Sequence, residues 1–174
     1  TTVRTGKVRF GYANVHTPKA SGDSEKEFYS VMIIIDKEDK ATVDAINKAV
    51  EAASERGKVE KWGGKIPANL KKPLRDGDEE RPDSPELAGK YFLNAKTLKK
   101  PGIVYRDEFL GTVHIEDPAD FYSGCFGQAT INFYPYLFSG SKGIGVGLNN
   151  LLFLEDGESL SGGGSATSDF GDED

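Results

Sequence analysis

Alternating apolar and polar runs, interrupted by only one helical segment, constrain the fold of this 174-residue chain more than any other feature. The clearest run, FYSVMIII at residues 28–35, is rich in β-branched side chains and typical of a strand. Residues 38–57 have the 3.6-residue apolar spacing of a helix, with Asp36 and Gly57 as its predicted N- and C-terminal caps. The other predicted strands lie at 7–15, 90–98, 109–115, 124–138 and 143–154.

Five principal strands with one helix after the second strand predict a mainly β protein. The architecture that fits best is a five-stranded Greek-key barrel of the OB type. A β-sandwich is the competing architecture, because strand count alone does not separate the two. Residues 56–89 form an irregular insertion, with a basic first half around Trp62 and an acidic, proline-containing second half.

The last twenty residues carry an uneven share of the charge. Residues 155–174 contain seven acidic residues, no Lys or Arg, and a Gly/Ser-rich spacer, whereas residues 1–154 balance 22 basic against 21 acidic residues. We therefore predict two parts, an OB-type domain at 1–154 and a flexible acidic tail at 155–174. A near-neutral body with an acidic tail is consistent with a single-stranded nucleic-acid binder whose tail mimics the polyanion.

Signatures of catalysis are weak in this sequence. His114-Ile115-Glu116 has the H-x-E spacing of zinc deaminases, but no P-C-x-x-C follows it, and Cys125 is the one cysteine. The single cysteine excludes an internal disulfide and suits a reducing cytoplasm. The densest carboxylates outside the acidic loop lie in predicted loops, so a metal-dependent nuclease is a minor alternative; they are Asp107, Glu108, Glu116, Asp117 and Asp120. We predict no enzyme activity, no cofactor and no metal site.

Two other classes of function are also disfavoured. The longest apolar run, residues 31–35, is far shorter than the ~18 residues of a membrane span, so no membrane association is predicted. The string GIGVG at 143–147 resembles a phosphate-binding fingerprint, but a strand pattern rather than a helix follows it. Glycines at a barrel bend are the better explanation.

Aromatic and basic residues share the polar faces of several predicted strands, which is the composition of a base-stacking platform. Alternation places Phe92 beside Lys96, and Tyr134 beside Tyr136, on faces opposite the predicted core. The predicted contacts with single-stranded DNA are Lys7, Arg9, Phe28, Trp62, Phe92, Lys96, Lys99, Lys100, Tyr105, Arg106, Tyr134 and Tyr136. No helix is both basic and aromatic, so major-groove reading of duplex DNA is not predicted.

Alternatives remain open for four of these assignments. Phe92 would belong to the core if Tyr91 were the exposed ring. Independently, the basic cluster of Lys96, Lys99, Lys100 and Arg106 is either a phosphate-binding surface or an ordinary solvated loop. Phe28 either stacks on a base or covers a sheet edge, and Trp62 is either a nucleic-acid contact or an anchor for the insertion.

Five segments carry a family resemblance: VRFGYANVHTPK, KYFLNAK, KKPGIVYRD, FYSGCFGQATINFYPY and GIGVGLNNLLFLEDGE. They resemble the OB-fold single-stranded DNA-binding proteins of tailed bacteriophages, long catalogued in phage genomes as a domain of unknown function. The resemblance spans essentially the whole chain. It implies sequence-independent binding of single-stranded DNA during phage replication and recombination, in the cytoplasm of the infected bacterium.

The resemblance also implies a role for the acidic tail. Such tails recruit phage or host replication and recombination proteins and temper DNA binding, and the residues expected to do so here are Asp169, Phe170, Asp172, Glu173 and Asp174. Many such tails end in an aromatic residue, whereas Phe170 lies four residues before the terminus. The alternative from another class is a β-barrel interaction or virion structural module that does not bind nucleic acid.

Overall fold

The computed structural model describes residues 1–20 and 26–160. Within these ranges the strands are β1 (Thr2–Arg4), β2 (Val8–Ala20), β3 (Glu27–Asp36), β4 (Arg75–Asp76), β5 (Lys90–Thr97), β6 (Gly102–Asp107), β7 (Gly111–His114), β8 (Phe126–Phe138) and β9 (Ser141–Glu155). The helices are α1 (Lys40–Glu60) and α2 (Gly77–Glu80), with 3₁₀ turns at Pro85–Leu87 and Pro118–Asp120.

Strands β2, β3, β5, β9 and β8 close into a barrel. β2 pairs with β3, β3 with β5, β9 with β8, and β8 again with β2, all antiparallel. β5 and β9 meet in parallel at Lys96 and Gly147. This circular order, with one parallel contact between the third and fifth barrel strands, confirms the predicted OB-type barrel. The predicted position of the main helix after the second barrel strand is also confirmed.

Four shorter strands extend the sheet beyond the barrel. β1 pairs with β8 and β4 with β5, while the β6–β7 hairpin joins β9 through parallel pairing of β6. The barrel interior is apolar, with Phe10, Ile33 and Phe133 fully buried. A second, smaller apolar cluster comprises Met32, Ile34, Leu87 and Phe92, with Leu160 packed against it.

Helix α1 differs from its prediction at both ends. Its N-terminal cap is Asp39, whose carboxylate accepts a hydrogen bond from the Thr42 amide at 3.3 Å. The helix continues past Gly57 to Glu60. Glycine is required at position 57 by packing rather than by a cap, because an added Cβ would lie 2.6 Å from the Cβ of Pro135 on β8.

The alternation expected in the first barrel strand breaks at Tyr12. Strict alternation from Val8 and Phe10 would place Tyr12 on the same buried face, but Tyr12 is 62% exposed. Its φ is 44°, and the pairing of β2 with β3 shifts register between Gly11 and Asn14. This bulge turns Tyr12 outward, because an extra residue in one strand reverses the inward and outward faces beyond it.

The folded body extends beyond the predicted boundary at residue 154. Tyr122 donates its hydroxyl proton to Asp156 at 2.7 Å, and the Leu160 amide donates to the Ser123 carbonyl at 2.8 Å. Leu160 also packs on the smaller apolar cluster. Residues 155–160 are therefore part of the body. The predicted tail residues Asp169, Phe170, Asp172, Glu173 and Asp174 lie outside the described residues.

The helices found in residues 1–20 and 26–160 do not include one with the length and apolar character that crossing a bilayer requires.

Candidate nucleic-acid interface

One open groove, of about 1270 Å³, crosses the outer face of the barrel from Lys19 of β2 and Phe28 of β3 to Ser139 in the β8–β9 turn. We call it the groove. Its charged and aromatic lining residues are Tyr12, Lys19, Phe28, Lys71, Lys72, Arg75, Glu80, Lys96, Tyr134, Tyr136 and Phe138. OB barrels bind oligonucleotides on this face, across their second and third strands and the loops at its two ends.

The groove is basic. Among the described residues, its lining contains the five cations Lys19, Lys71, Lys72, Arg75 and Lys96 against one carboxylate, that of Glu80. Arg75 is neutralised by Glu80, whose carboxylate lies 3.1 Å from the arginine Nε. None of the four lysines forms an ion pair with a carboxylate in residues 1–20 or 26–160, so their charges remain available to phosphates.

Aromatic rings are interleaved with these cations. Tyr12 and Phe138 are 62% and 76% exposed, and the Lys96 ammonium lies 4.6 Å from the centre of the Phe28 ring. Tyr134 and Tyr136 are half-buried side by side on β8. Burial raises the pKa of the Tyr134 hydroxyl further above neutrality, where a tyrosine ring is in any case uncharged and does not repel a phosphate backbone.

The predicted contact Trp62 is a structural anchor instead. It is 5% exposed, and its indole N–H donates to the Tyr136 carbonyl at 3.0 Å. The nearby Ile144 amide donates to the Lys71 carbonyl at 3.0 Å, which holds the insertion along the edge of β9. The insertion therefore frames the groove and brings Lys71 and Lys72 to it.

Phe92 is buried and cannot stack on a base in this structure. Alternation correctly places it on the outer face with Lys96, but the insertion covers that part of the face. The ring is 0% exposed, packs with Leu87, and has the guanidinium carbons of Arg75 and Arg81 at 5.8 and 5.7 Å from its centre. The alternative in which Phe92 belongs to a core is therefore correct.

Lys7 and Arg9 lie apart from the residues that line the groove. Lys7 forms an ion pair with Glu155, and both cations lie 5.4 Å from the centre of the Phe126 ring. Arg9 donates to the Gly124 carbonyl at 3.1 Å and to the Glu158 carbonyl at 2.7 Å. Both side chains therefore contact the 155–160 segment, and their role as DNA contacts stays a prediction.

The cluster after β5 is exposed but does not line the groove. Lys99 and Lys100 lie in the β5–β6 connection, and Tyr105 and Arg106 lie on β6. Tyr105 pairs with Phe153 of β9. The chain connects this cluster to the groove through Lys96, three residues before Lys99.

Sequence comparison gives a family for the whole chain. Residues 1–174 match the family described as Enterobacter phage Enc34, ssDNA-binding protein. The chain belongs to this family. A curated relative, protein p50 of Acyrthosiphon pisum secondary endosymbiont phage 1, is 28% identical over 175 residues, covering 95% of this chain and 89% of the relative.

Solved structures show the same fold in other phage proteins. The single-stranded DNA-binding protein from bacteriophage Enc34, in complex with ssDNA, superposes with a TM-score of 0.79 at 21% identity, covering 91% of this chain and 89% of that one. The gp2.5 protein of bacteriophage T7, a single-stranded DNA binding protein, superposes with a TM-score of 0.62 at 15% identity, covering 92% and 95%.

This member of the Enc34 family has groove residues that our sequence reasoning missed: Tyr12, Lys19, Lys71, Lys72, Arg75 and Phe138. A signal existed for Phe138, because the alternation that links Tyr134 and Tyr136 continues to it. Lys71, Lys72 and Arg75 belong to the basic stretch of the insertion, and nothing in the sequence indicates where that stretch lies relative to the barrel. Tyr12 had no usable signal, since the bulge that exposes it is a backbone feature.

Two features of the described residues concern metal binding and thiol reactivity. Within residues 1–20 and 26–160, no group of three or more His, Cys, Asp or Glu side chains is placed to hold a metal ion. Cys125 is fully buried, and burial raises the pKa of its thiol to about 11. A thiol in that state is a poor nucleophile at neutral pH.

Proposed function

We propose that this protein is a sequence-independent single-stranded DNA-binding protein, which holds the strand along the groove without reading base edges. The observation that supports this most strongly is the groove's lining, which among the described residues combines five rings with five cations and one carboxylate. Bases stack on exposed rings whatever their identity, and lysines meet phosphates as point charges. Membership of a family described as ssDNA-binding agrees with this chemistry.

The residues proposed to contact DNA come from both sequence and structure. Phe28, Lys96, Tyr134 and Tyr136 are the predicted contacts that line the groove. Tyr12, Phe138, Lys19, Lys71 and Lys72 join them because of their positions in it. Lys99, Lys100, Tyr105 and Arg106 extend the path beyond β5 for a longer strand.

The biological role that we propose is to coat and protect single strands during phage DNA replication and recombination, in the cytoplasm of the infected bacterium. The protein acts by binding rather than by catalysis. Similarity in fold to two phage single-stranded DNA-binding proteins supports this role.

A titration of labelled oligo-dT, followed by fluorescence anisotropy at several salt concentrations, tests the binding claim. We expect binding whose log affinity falls linearly with log salt, at about −0.7 per phosphate neutralised. An absence of binding at low salt, or an affinity independent of salt, would refute it. If the bound strand extends past β5, replacing Lys99 and Lys100 by Ala should lower the affinity for long oligonucleotides more than the affinity for short ones.

We also propose that the acidic tail competes with DNA for the groove. The described body ends at Leu160, which packs in a cluster with Met32, and Met32 lines the groove. Residues 161–174 carry four carboxylates and no Lys or Arg, so the competitor is attached close to the site. An attached competitor acts at a high effective concentration.

Two variants distinguish charge competition from steric blocking by the tail. A protein ending at residue 160 should bind oligo-dT more tightly than the full chain. The full-length chain with Asp169, Asp172 and Asp174 changed to Asn and Glu173 to Gln should match the shortened protein. If both variants bind like the unmodified protein, competition is refuted, whereas DNA binding is not.

The same tail is proposed to recruit replication or recombination proteins of the phage or its host. Phe170 is the one aromatic side chain among the carboxylates of residues 161–174, which suits docking to a basic, apolar cleft. A peptide of residues 161–174 should displace the full-length protein from such a partner. The same peptide carrying Phe170→Ala should not displace it. Equal displacement by both peptides would show that the Phe170 side chain does not contribute to docking.

A further inference from the structure

The tyrosines of β8 lie across glycines of β9. Tyr134 pairs with Gly145 and Tyr136 with Gly143 in the antiparallel ladder. An added Cβ at Gly145 would lie 2.5 Å from Cζ and 2.6 Å from the hydroxyl of Tyr134. An added Cβ at Gly143 would lie 2.5 Å from the hydroxyl of Tyr136. Each ring therefore ends in the space that a side chain at the paired position would fill.

Contacts this short mean that any side chain on these glycines would displace the ring above it. The displaced atoms are the far ends of tyrosine side chains rather than backbone. The barrel can therefore tolerate alanine at either position by moving a ring. The alternate positions Ile144 and Val146 are buried in the core, so the G-x-G-x-G pattern separates an inner apolar face from an outer ring-bearing face.

The ladder also sets the distance between the Cα atoms that carry the two rings. Residues two apart on one strand face are separated by about 6.6–6.8 Å. Successive bases stacked in a DNA strand are about 3.4 Å apart. Two neighbouring bases that each contact one of these rings are thus held at roughly twice their stacked separation, and they cannot stack directly on each other.

We propose that Gly143 and Gly145 are positioning residues that hold Tyr136 and Tyr134 as a pair of platforms for two successive, mutually unstacked bases. This rests on the proposed function and adds a substrate preference to it. A strand must unstack to occupy both rings, and that costs more for purine tracts than for pyrimidine tracts. The protein therefore favours weakly stacked strands such as oligo-dT over oligo-dA of equal length, without reading base edges.

A double-mutant cycle tests whether Gly145 acts through the ring. Tyr134→Ala should weaken oligo-dT binding roughly 5- to 150-fold, the range for loss of one stacked base. Gly145→Ala should produce a loss of the same kind in the unmodified protein. In the Tyr134→Ala background, Gly145→Ala should change the affinity by no more than about twofold, because the ring through which it acts is absent.

Gly147→Ala is the matched control. It adds the same methyl group to the same face of β9, but the atom it displaces is the amide oxygen of Asn132, at 2.6 Å from the added Cβ. Neither Gly147 nor Asn132 lines the groove. Gly147→Ala should therefore leave oligo-dT affinity unchanged, while thermal unfolding shows whether both glycine variants are folded.

The outcomes separate this inference from the proposed function. If the unmodified protein does not bind oligo-dT, the proposed function fails. If it binds and Gly145→Ala has no effect, or has the same effect with and without the Tyr134 ring, the positioning role is refuted. Should Gly145→Ala not fold, the unmodified protein and Tyr134→Ala are compared on both oligonucleotides. The preference for oligo-dT should be present in the first and largely lost in the second, and equal preference in both overturns the inference.

Discussion

Four lysines that line the groove have no ion-pair partner within the described residues, and two of them are Lys71 and Lys72. Removing these two charges tests quantitatively whether the groove lysines contact phosphates. Four lysines that each neutralise one phosphate give a slope of log affinity against log salt of about −2.8, and the double variant Lys71→Ala/Lys72→Ala reduces it to about −1.4. Between 50 and 200 mM salt, the unmodified protein should lose about 50-fold in affinity and the variant about 7-fold.

Fluorescence anisotropy of labelled oligo-dT at four or more salt concentrations measures both slopes. The difference of about 1.4 is the test, because cations elsewhere that meet phosphates add equally to both proteins. Lys40→Ala/Lys48→Ala is the control, since it removes the same charge from exposed positions of α1 that do not line the groove. An unchanged slope in the groove variant, or an equal drop in the control, would refute the assignment of phosphate contacts.

Three further predictions concern the body. Trp62→Phe removes the hydrogen bond to the Tyr136 carbonyl and should lower the free energy of unfolding by about 1–3 kcal/mol in urea titrations, so an unmoved midpoint contradicts the anchor role. Because the thiol of Cys125 is buried with its pKa at about 11, it should resist alkylation at pH 8 until urea unfolds the protein, and rapid native labelling would contradict its burial. Hydrogen bonds from Lys37 lower the pKa of Asp76 and of Asp78. The ionised carboxylates therefore stabilise the folded state fully at neutral pH, and this stabilisation is lost as pH falls below about 4. Lys37→Gln should therefore reduce the loss of stability between pH 5 and pH 3 in urea titrations, and identical pH profiles would refute the link.

The barrel was predictable from sequence because its main strands are long and their apolar residues alternate. β8 and β9 illustrate this, since inward residues such as Ile131 and Val146 mark the core side at every second position. The same rule placed Tyr134 and Tyr136 on the outer face, where the structure has them. Alternation reports which face a residue occupies, and it succeeds wherever one face is core and the other is open.

Alternation could not report what covers the outer face. Phe92 and Lys96 share that face of β5, but Leu87 of the insertion lies over Phe92 and leaves Lys96 in the groove. The bulge at Tyr12 and the attachment of Lys71 to β9 are likewise tertiary features. Apolar alternation along a strand contains no information on these tertiary features. About half of the residues that line the groove could therefore be identified only from the structure.

The central claim is that single-stranded DNA lies in the groove, and photochemical cross-linking tests it most directly. Oligonucleotides with 5-iodo-deoxyuridine in place of thymidine are bound, irradiated and digested with protease, and the cross-linked residues are identified by mass spectrometry. We predict cross-links to Tyr134, Tyr136 and Phe28, with Tyr12 or Phe138 at the ends of the groove. Cross-links confined to Phe126 beside Lys7, or to the β6–β7 hairpin, would contradict the account.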